Sequence, residues 1–522
     1  MKSMFDRHGN ILDEKLRAAF FREPQIQEME KVRQALDGDP SFPRYHFCSL
    51  TPGRKMNDPN GLCIKDGVMH LFYQQWPCEG SPLHWGHAIS RDMIRWTELP
   101  TAIAPGEEKH VFSGTTLVES NRVLAAYHGV GKGNMLAQAT DEYLLSWEKL
   151  PQDTMNPAVP IDENGLPYRV FDPCLWQEED GYYALSGTFI GPPKKLRGKH
   201  RMMPYIFYSP DLKNWKWLGE FMPHNPFYSQ GEDCACPYFL PFGDRYMLMH
   251  FSHTSGSHIL IGDYDKKKHI FLPTEHYPLS AGEVLGCSGG IAAGAAASDG
   301  KGGVYAIFNL KTCINRKGDA DGVMTLPWHM QQDANGQFCI RPCENAVTLR
   351  GQARAIECDR FVSGSPYTVN QAGNCIEIEA EIDLSRARAL RISVFASSDG
   401  REHTDITVTR RPEDSSNPNA SYPYLYDQTA RVFLTVDSTL ASMREDLWPR
   451  AAETMDTVLS LNEPIRLRIF LDVNVIEVFL NDRLAIAQSV QPILPDSRNV
   501  SFQAVGGDAP VQKLNIWEMQ PV

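Results

Sequence analysis

The sequence predicts an all-β protein, a β-propeller followed by a β-sandwich, with a short helical extension in front. From about Tyr45 the 522-residue chain is written in short apolar and aromatic runs, such as Val68-Met-His-Leu-Phe-Tyr73, Tyr182-Tyr-Ala-Leu185 and Tyr246-Met-Leu-Met-His250, each bounded by Gly, Asp, Asn or Pro. That is the pattern of many short antiparallel strands. A polar turn followed by a tryptophan recurs at irregular intervals: Ser90-Arg-Asp92 before Trp96, Thr140-Asp141 before Trp147, and Ser209-Pro-Asp211 before Trp215. Propeller blades joined by loops of variable length read this way. Past residue 345 the glycine and tryptophan density falls and alternation takes over. Leu467, Ile469 and Leu471 are followed, across Asp472-Val-Asn474, by Ile476, Val478 and Leu480, a hairpin of the kind that builds a sandwich.

Taken in order, residues 1–40 form the helical extension, with Leu12, Leu16, Ala19 and Phe20 at helical spacing and Ile26, Met29, Val32 and Leu36 after a break at Pro24. This segment is either an oligomer contact or a surface helix packed on its own subunit. Residues 41–345 are read as the propeller and 346–522 as the sandwich. Within the latter, the segment 411–422, rich in Pro, Asn and Ser, is expected to be an exposed loop.

Composition excludes several functions. Lys+Arg 51 against Asp+Glu 64 gives a net charge of −13, the wrong sign for a protein that neutralises nucleic-acid phosphates. No apolar run is long enough to span a membrane as a helix. The N-terminal MKSMFDRHGNILDEKLRAAF is charged from the start and has no apolar core of a secretion signal, so a cytoplasmic location is expected. The twelve cysteines follow no disulfide framework, and the close pairs Cys234/Cys236 and Cys339/Cys343 have no second pair at zinc-site spacing. No metal site is expected.

The sharpest string is Met56-Asn-Asp-Pro-Asn-Gly-Leu62, in which Pro59 fixes the backbone and Gly61 permits a tight turn. Alone it could be a β-turn and nothing more. A second Asp-Pro step stands at Val170-Phe-Asp-Pro-Cys174 and a third acidic site at Gly231-Glu-Asp-Cys-Ala-Cys-Pro-Tyr-Phe239, each ahead of an aromatic-rich candidate strand. Three acidic residues at the starts of three strands could reach one propeller channel. Sugar chemistry uses such a set: a carboxylate as nucleophile or base, a carboxylic acid to protonate the leaving oxygen, and a further carboxylate to bind hydroxyls. Three unrelated solvated turns are the alternative.

Met56 to Leu62, Phe72-Tyr-Gln74, His84-Trp-Gly-His-Ala88 with Ser90 and Asp92, Phe112-Ser-Gly114, Asp172-Pro173 and Cys236-Pro237 together resemble the ordered motifs of glycoside hydrolase family 32. This is the family of invertases, β-fructofuranosidases, inulinases and levanases. Ile476-Glu-Val-Phe-Leu-Asn-Asp482 is similar to a hairpin of that family's C-terminal sandwich, so the resemblance covers nearly everything after residue 43. It implies a five-bladed propeller, hydrolysis of terminal β-linked fructofuranose with retention, and no metal or organic cofactor. By the same resemblance Asp58 is the nucleophile and Asp172 the transition-state stabiliser. Asn57, Gln74, Trp85, Phe112 and Ser113 then line the fructose pocket, with Trp85 as an apolar platform for a sugar face or else a core residue.

Two departures stand out. Phe171 occupies the place of an arginine that usually precedes the Asp-Pro step, and Arg169, two positions earlier on the same strand face, is the candidate substitute. The family's acid is a glutamate directly before Cys-Pro, but Ala235 stands there. Glu232 is therefore the expected acid, its pKa raised by burial or neighbouring carboxylates, and Asp233 is the alternative acid or a sugar-binding partner. The expected substrate is sucrose or a short fructo-oligosaccharide. Sucrose 6-phosphate would call for a basic cluster, for which Arg54-Lys55 and Lys194 to Lys199 are candidates. A fructosyltransferase would share the machinery, an inverting arabinan-type hydrolase would lack these motifs, and a fructan-binding propeller without catalysis is the reading from another class. A homo-oligomer through the N-terminal helices or the sandwich is one alternative, and a single copy with those helices packed on itself is the other.

Overall fold

The structure is a computed structural model that describes residues 24–36, 39–50, 56–78, 80–151, 169–189, 204–223, 225–227, 233–253, 255–279, 290–314, 322–412 and 429–522. Five antiparallel meanders follow one another along the chain, at 56–103, 111–149, 169–220, 235–278 and 291–342, and each forms a separate four-stranded sheet, with one further strand of two residues, Val323–Met324, in the last. These are the five blades of a propeller. The innermost strands are Met56–Lys65, Val111–Val118, Arg169–Glu178, Ala235–Phe242 and Ile291–Ser298.

The tryptophan turns of the sequence are the connections between the third and fourth strands. Asp92 accepts the backbone N–H groups of Ile94 and Arg95, Asp141 those of Tyr143, Leu145 and Ser146, and Asp211 those of Lys213 and Asn214. A short carboxylate that satisfies two or three turn amides fixes the corner and lets the chain reverse. Blades four and five use Asp265 and Asp333 in the same way without the tryptophan, which is why the repeat showed only three times.

The remainder packs as two sheets, of seven and six strands, around a core that includes Ile378, Ile392, Val408, Leu434, Ile469, Val478 and Phe502. From Ile469 onward the hairpin Ile465–Asp472 and Val475–Leu480 is buried on both faces, which its alternation did not announce. Leu467, Ile469, Leu471, Ile476, Val478 and Leu480 enter the sandwich core, while Phe470, Val475 and Phe479 join the core shared with blades one, four and five. Two carboxylates on this second face tie the halves together. Asp472 accepts the backbone N–H groups of Arg44, Tyr45 and His46, and Glu477 accepts Leu326 N–H at 2.7 Å and the Trp328 indole at 2.7 Å. The fully buried His46 ring lies between them, Nδ1 2.8 Å from Asp472 and Nε2 2.9 Å from Glu477.

The helix Pro24–Leu36 has proline at its first position, where no N–H is needed. Ile26, Met29, Val32 and Leu36 lie on Leu50, Ile89 and Leu99 of blade one, so this stripe is covered by its own chain. The expected helix around Leu12 to Phe20 lies outside the described residues, as do Arg54-Lys55, Lys194 to Lys199 and the segment 413–428. Arg411 and Pro412, expected in a loop, still belong to the strand Thr404–Pro412.

Candidate active site

Each innermost strand carries one extra residue at the same level. The register against the second strand slips between Met56 and Pro59, Val111 and Gly114, Phe171 and Cys174, Ala235 and Tyr238, and Ile291 and Gly294. A bulge turns side chains out of the regular alternation. Here it presents Asn57-Asp58, Phe112-Ser113, Asp172-Pro173, Cys236-Pro237 and Ala292-Ala293 at one end of the channel. Asp172 and Cys236 adopt left-handed backbone angles, φ 49° and 48°, to do so. Below them the blades are drawn together: the Tyr238 hydroxyl accepts Gly61 N–H at 2.8 Å and donates to Gly114 C=O at 3.1 Å. Gly114 has no alternative, since a Cβ there would lie 1.9 Å from the Ala126 carbonyl oxygen.

Asp58 ends a directed chain of hydrogen bonds. Asn309 Nδ2 donates to Asn57 Oδ1 at 3.0 Å, Asn57 Nδ2 to Gln74 Oε1 at 2.9 Å, Gln74 Nε2 to Ser113 Oγ at 2.9 Å, and the Ser113 hydroxyl to Asp58 Oδ2 at 2.9 Å. Each amide in this relay accepts from one side and donates to the next, which holds Asp58 as an oriented acceptor. Lys311 also donates to Asn57 Oδ1, and its ammonium is 3.8 Å from Asp58 Oδ1.

Asp172 faces Asp58 across the Cys236 thiol, whose Sγ is 3.6 Å from Asp172 Oδ2 and 3.9 Å from Asp58 Oδ2. Cys236 N–H donates to Asp172 Oδ2 at 3.1 Å. Burial, and then the charge of Asp58, push the Asp172 carboxyl up to about 7, against which the Cys236 N–H and His253 pull it down. Burial, and then the same two carboxylates, hold the Cys236 thiol well above its ordinary range, so it is present as a neutral donor. Phe171, in the arginine's place, is buried with Ala235, Cys236, Phe251, Ala292 and Ala293. Asp172 therefore gains apolar surroundings where a guanidinium would have stabilised its charge.

The structure thus brings Asn57, Asp58, Gln74, Ser113 and Asp172 together, with Phe112 half-buried between His110 and His128. It corrects two expectations. Trp85 is 0 % exposed, packed against Phe72 and Tyr127, so its ring is core and offers no sugar platform; its indole N–H instead fixes the Phe112 carbonyl at 2.9 Å. Asp233 is buried and paired with His253, accepting its backbone N–H at 2.9 Å and meeting its ring Nδ1 at 2.6 Å, so it is no free acid. Glu232 and the side chain of Arg169 lie outside the described residues; Arg169 begins its blade's innermost strand, opposite Phe189. Asn309, Lys311 and His253 were not foreseen. No local pattern marks them, since each follows or ends an ordinary apolar strand. Among the described residues no group of three His, Cys, Asp or Glu side chains is placed to hold a metal ion, and no helix is long and apolar enough to cross a membrane.

Two facing aspartates at the mouth of a five-bladed propeller, backed by a sandwich, describe a class of enzymes that act on sugars. Family models assign it further. The glycosyl hydrolases family 32 N-terminal domain matches residues 49–285 and the family 32 C-terminal domain matches 346–518, and the chain belongs to this family of glycoside hydrolases. A fructan 6-exohydrolase of Beta vulgaris is 32% identical over 273 residues, 46% of this chain and 43% of that one, so the match spans less than half of the relative. A sucrose-6-phosphate hydrolase of Escherichia coli is 26% identical over 92% of this chain and 96% of its own. Among solved structures, fructan 1-exohydrolase IIa of Cichorium intybus in complex with 1-kestose superposes with a TM-score of 0.75, at 20% identity, over 93% of this chain and 98% of that one, a likeness of fold.

Proposed function

We propose that this protein is a retaining β-fructofuranosidase that releases terminal fructose from sucrose or short fructo-oligosaccharides. The observation that carries the reading is the convergence of Asp58, oriented by the Asn57–Gln74–Ser113 relay, with Asp172 on the Cys236 thiol. Asp58 attacks the anomeric carbon while the leaving oxygen takes a proton from Glu232, giving a fructosyl ester. Water, deprotonated by the same group, then attacks that carbon and frees Asp58. Asp172 accepts fructose hydroxyls, and its negative charge favours the oxocarbenium-like transition state. The similarity to a sucrose-6-phosphate hydrolase over nearly the whole chain favours a second substrate, sucrose 6-phosphate, on the same machinery. Either substrate is small enough to be met in the cytoplasm, where we place the enzyme.

The test is fructose release from sucrose, 1-kestose and sucrose 6-phosphate by the purified protein beside Asp58→Asn, with NMR of the first anomer formed. β-Fructofuranose from the native chain and a loss of more than about a thousandfold in the variant are expected. Binding of these sugars with no release would replace the reading by a fructan-binding one, and transfer of fructose to sugar instead of water would make the protein a transferase.

A further inference from the structure

The innermost strand of blade four, Ala235–Phe242, pairs with Arg245–Ser252 so that Ala235 lies opposite Phe251. Two residues further toward the mouth, Asp233 and His253 meet. The Asp233 side chain is 4 % exposed and both its oxygens are spent on His253. The imidazole itself is 55 % exposed and stands edge-on to Phe251 at 5.1 Å. Phe251 belongs to the apolar cluster of Phe171, Ala235 and Cys236 that backs the two catalytic aspartates. With Nδ1 held by a buried carboxylate, the ring is fixed in orientation beside that cluster.

We propose that His253, held by Asp233, is a positioning cation of this site, whose charge favours Asp172 as a carboxylate. The inference rests on Asp58 and Asp172 being the reacting carboxylates. Among the described residues, the carboxylates whose charge bears on His253 are Asp233 on its own blade, Asp172 on blade three and Asp58 on blade one, while Lys311 of blade five stands on the Asp58 side. Burial lowers the His253 pKa, but its bond to Asp233 and the charges of Asp233, Asp172 and Asp58 outweigh this and raise it. In return, His253 pulls the Asp172 carboxyl down. Lys311 serves Asp58 and Asn57, so Asp172 would have His253 as its compensating charge.

The experiment is the pH profile of kcat/KM on sucrose for the native enzyme, His253→Gln, His253→Arg and Asp233→Asn. Loss of the cation leaves Asp172 harder to ionise, so His253→Gln should move the acidic limb upward by about half a unit or more, and lower kcat/KM about tenfold near pH 6 with a smaller loss at pH 8. His253→Arg, which keeps a charge at every pH, should return the limb toward its native position. Asp233→Asn should shift it in the same direction as His253→Gln. Limbs that superimpose in all four proteins, whatever the change in rate, would overturn the inference and leave the Asp58 and Asp172 assignment intact. A native enzyme that releases no fructose from any of the three sugars would instead remove that assignment, and this inference with it.

Discussion

His46 is placed to make the joint between propeller and sandwich sensitive to alkali. Its ring is completely buried between Asp472 and Glu477, and both of those carboxylates hold backbone or indole N–H groups of the propeller half. Burial alone would lower its pKa, but hydrogen bonds to the two carboxylates and their charges raise it to about 9. In the unfolded chain the same group titrates near 6.5. Because the folded value is the higher one, the stabilisation is fully present below about pH 6.5 and is lost as pH rises through about 9. The difference amounts to about 3 kcal/mol. His46→Gln should cost about 3 to 5 kcal/mol at pH 6, since it leaves two buried carboxylates without their cation. At pH 9.5 the native histidine is itself neutral, and the gap between the two proteins should shrink by about 3 kcal/mol. Urea unfolding at the two pH values, followed by tryptophan fluorescence, measures this. An equal gap at both would refute a protonated His46 as the fastener.

Two further outcomes follow from the site. Asp172→Asn should be inactive yet more heat-stable at pH 8. A buried carboxyl raised from 3.8 to about 7 costs nothing below about pH 4 and about 4 kcal/mol above pH 7, so the gain in melting temperature should vanish at pH 4. Ser113→Ala removes the hydroxyl that links Gln74 to Asp58, and kcat should fall about tenfold to a hundredfold with little change in melting temperature.

What could be read from the sequence was what local chemistry dictates. Asp92, Asp141 and Asp211 cap turns because a short carboxylate beside free amides can do little else, and the strings around Asp58 and Asp172 carry proline and glycine where the backbone must bend. Trp85 was misplaced because alternation along a strand says that a side chain faces one of two sides, but not whether that side is the channel or the space between blades. Asp233 looked available because its partner, His253, lies across a strand pair, and Lys311 reaches Asn57 over 254 positions of sequence. The hairpin carrying Glu477 was legible as a hairpin; that its second face closes on the propeller depends on Trp328 and His46, which no local pattern connects to it.

The fivefold register slip separates two tasks that a straight strand would have to share. Below the bulge each innermost strand resumes its pairing with the rest of its blade, in blade one after a second slip between Asn60 and Cys63, so the frame does not depend on which residues stand above. Above it, a change of side chain alters the chemistry without displacing a single ladder bond. Blade five displays this freedom: its bulge holds only Ala292 and Ala293, and its polar contribution to the mouth comes instead from Asn309 of the neighbouring strand and from Lys311 just past it, both on Asn57. Specificity in this enzyme can therefore drift blade by blade, each mouth position being rewritten while the five sheets beneath stay in register.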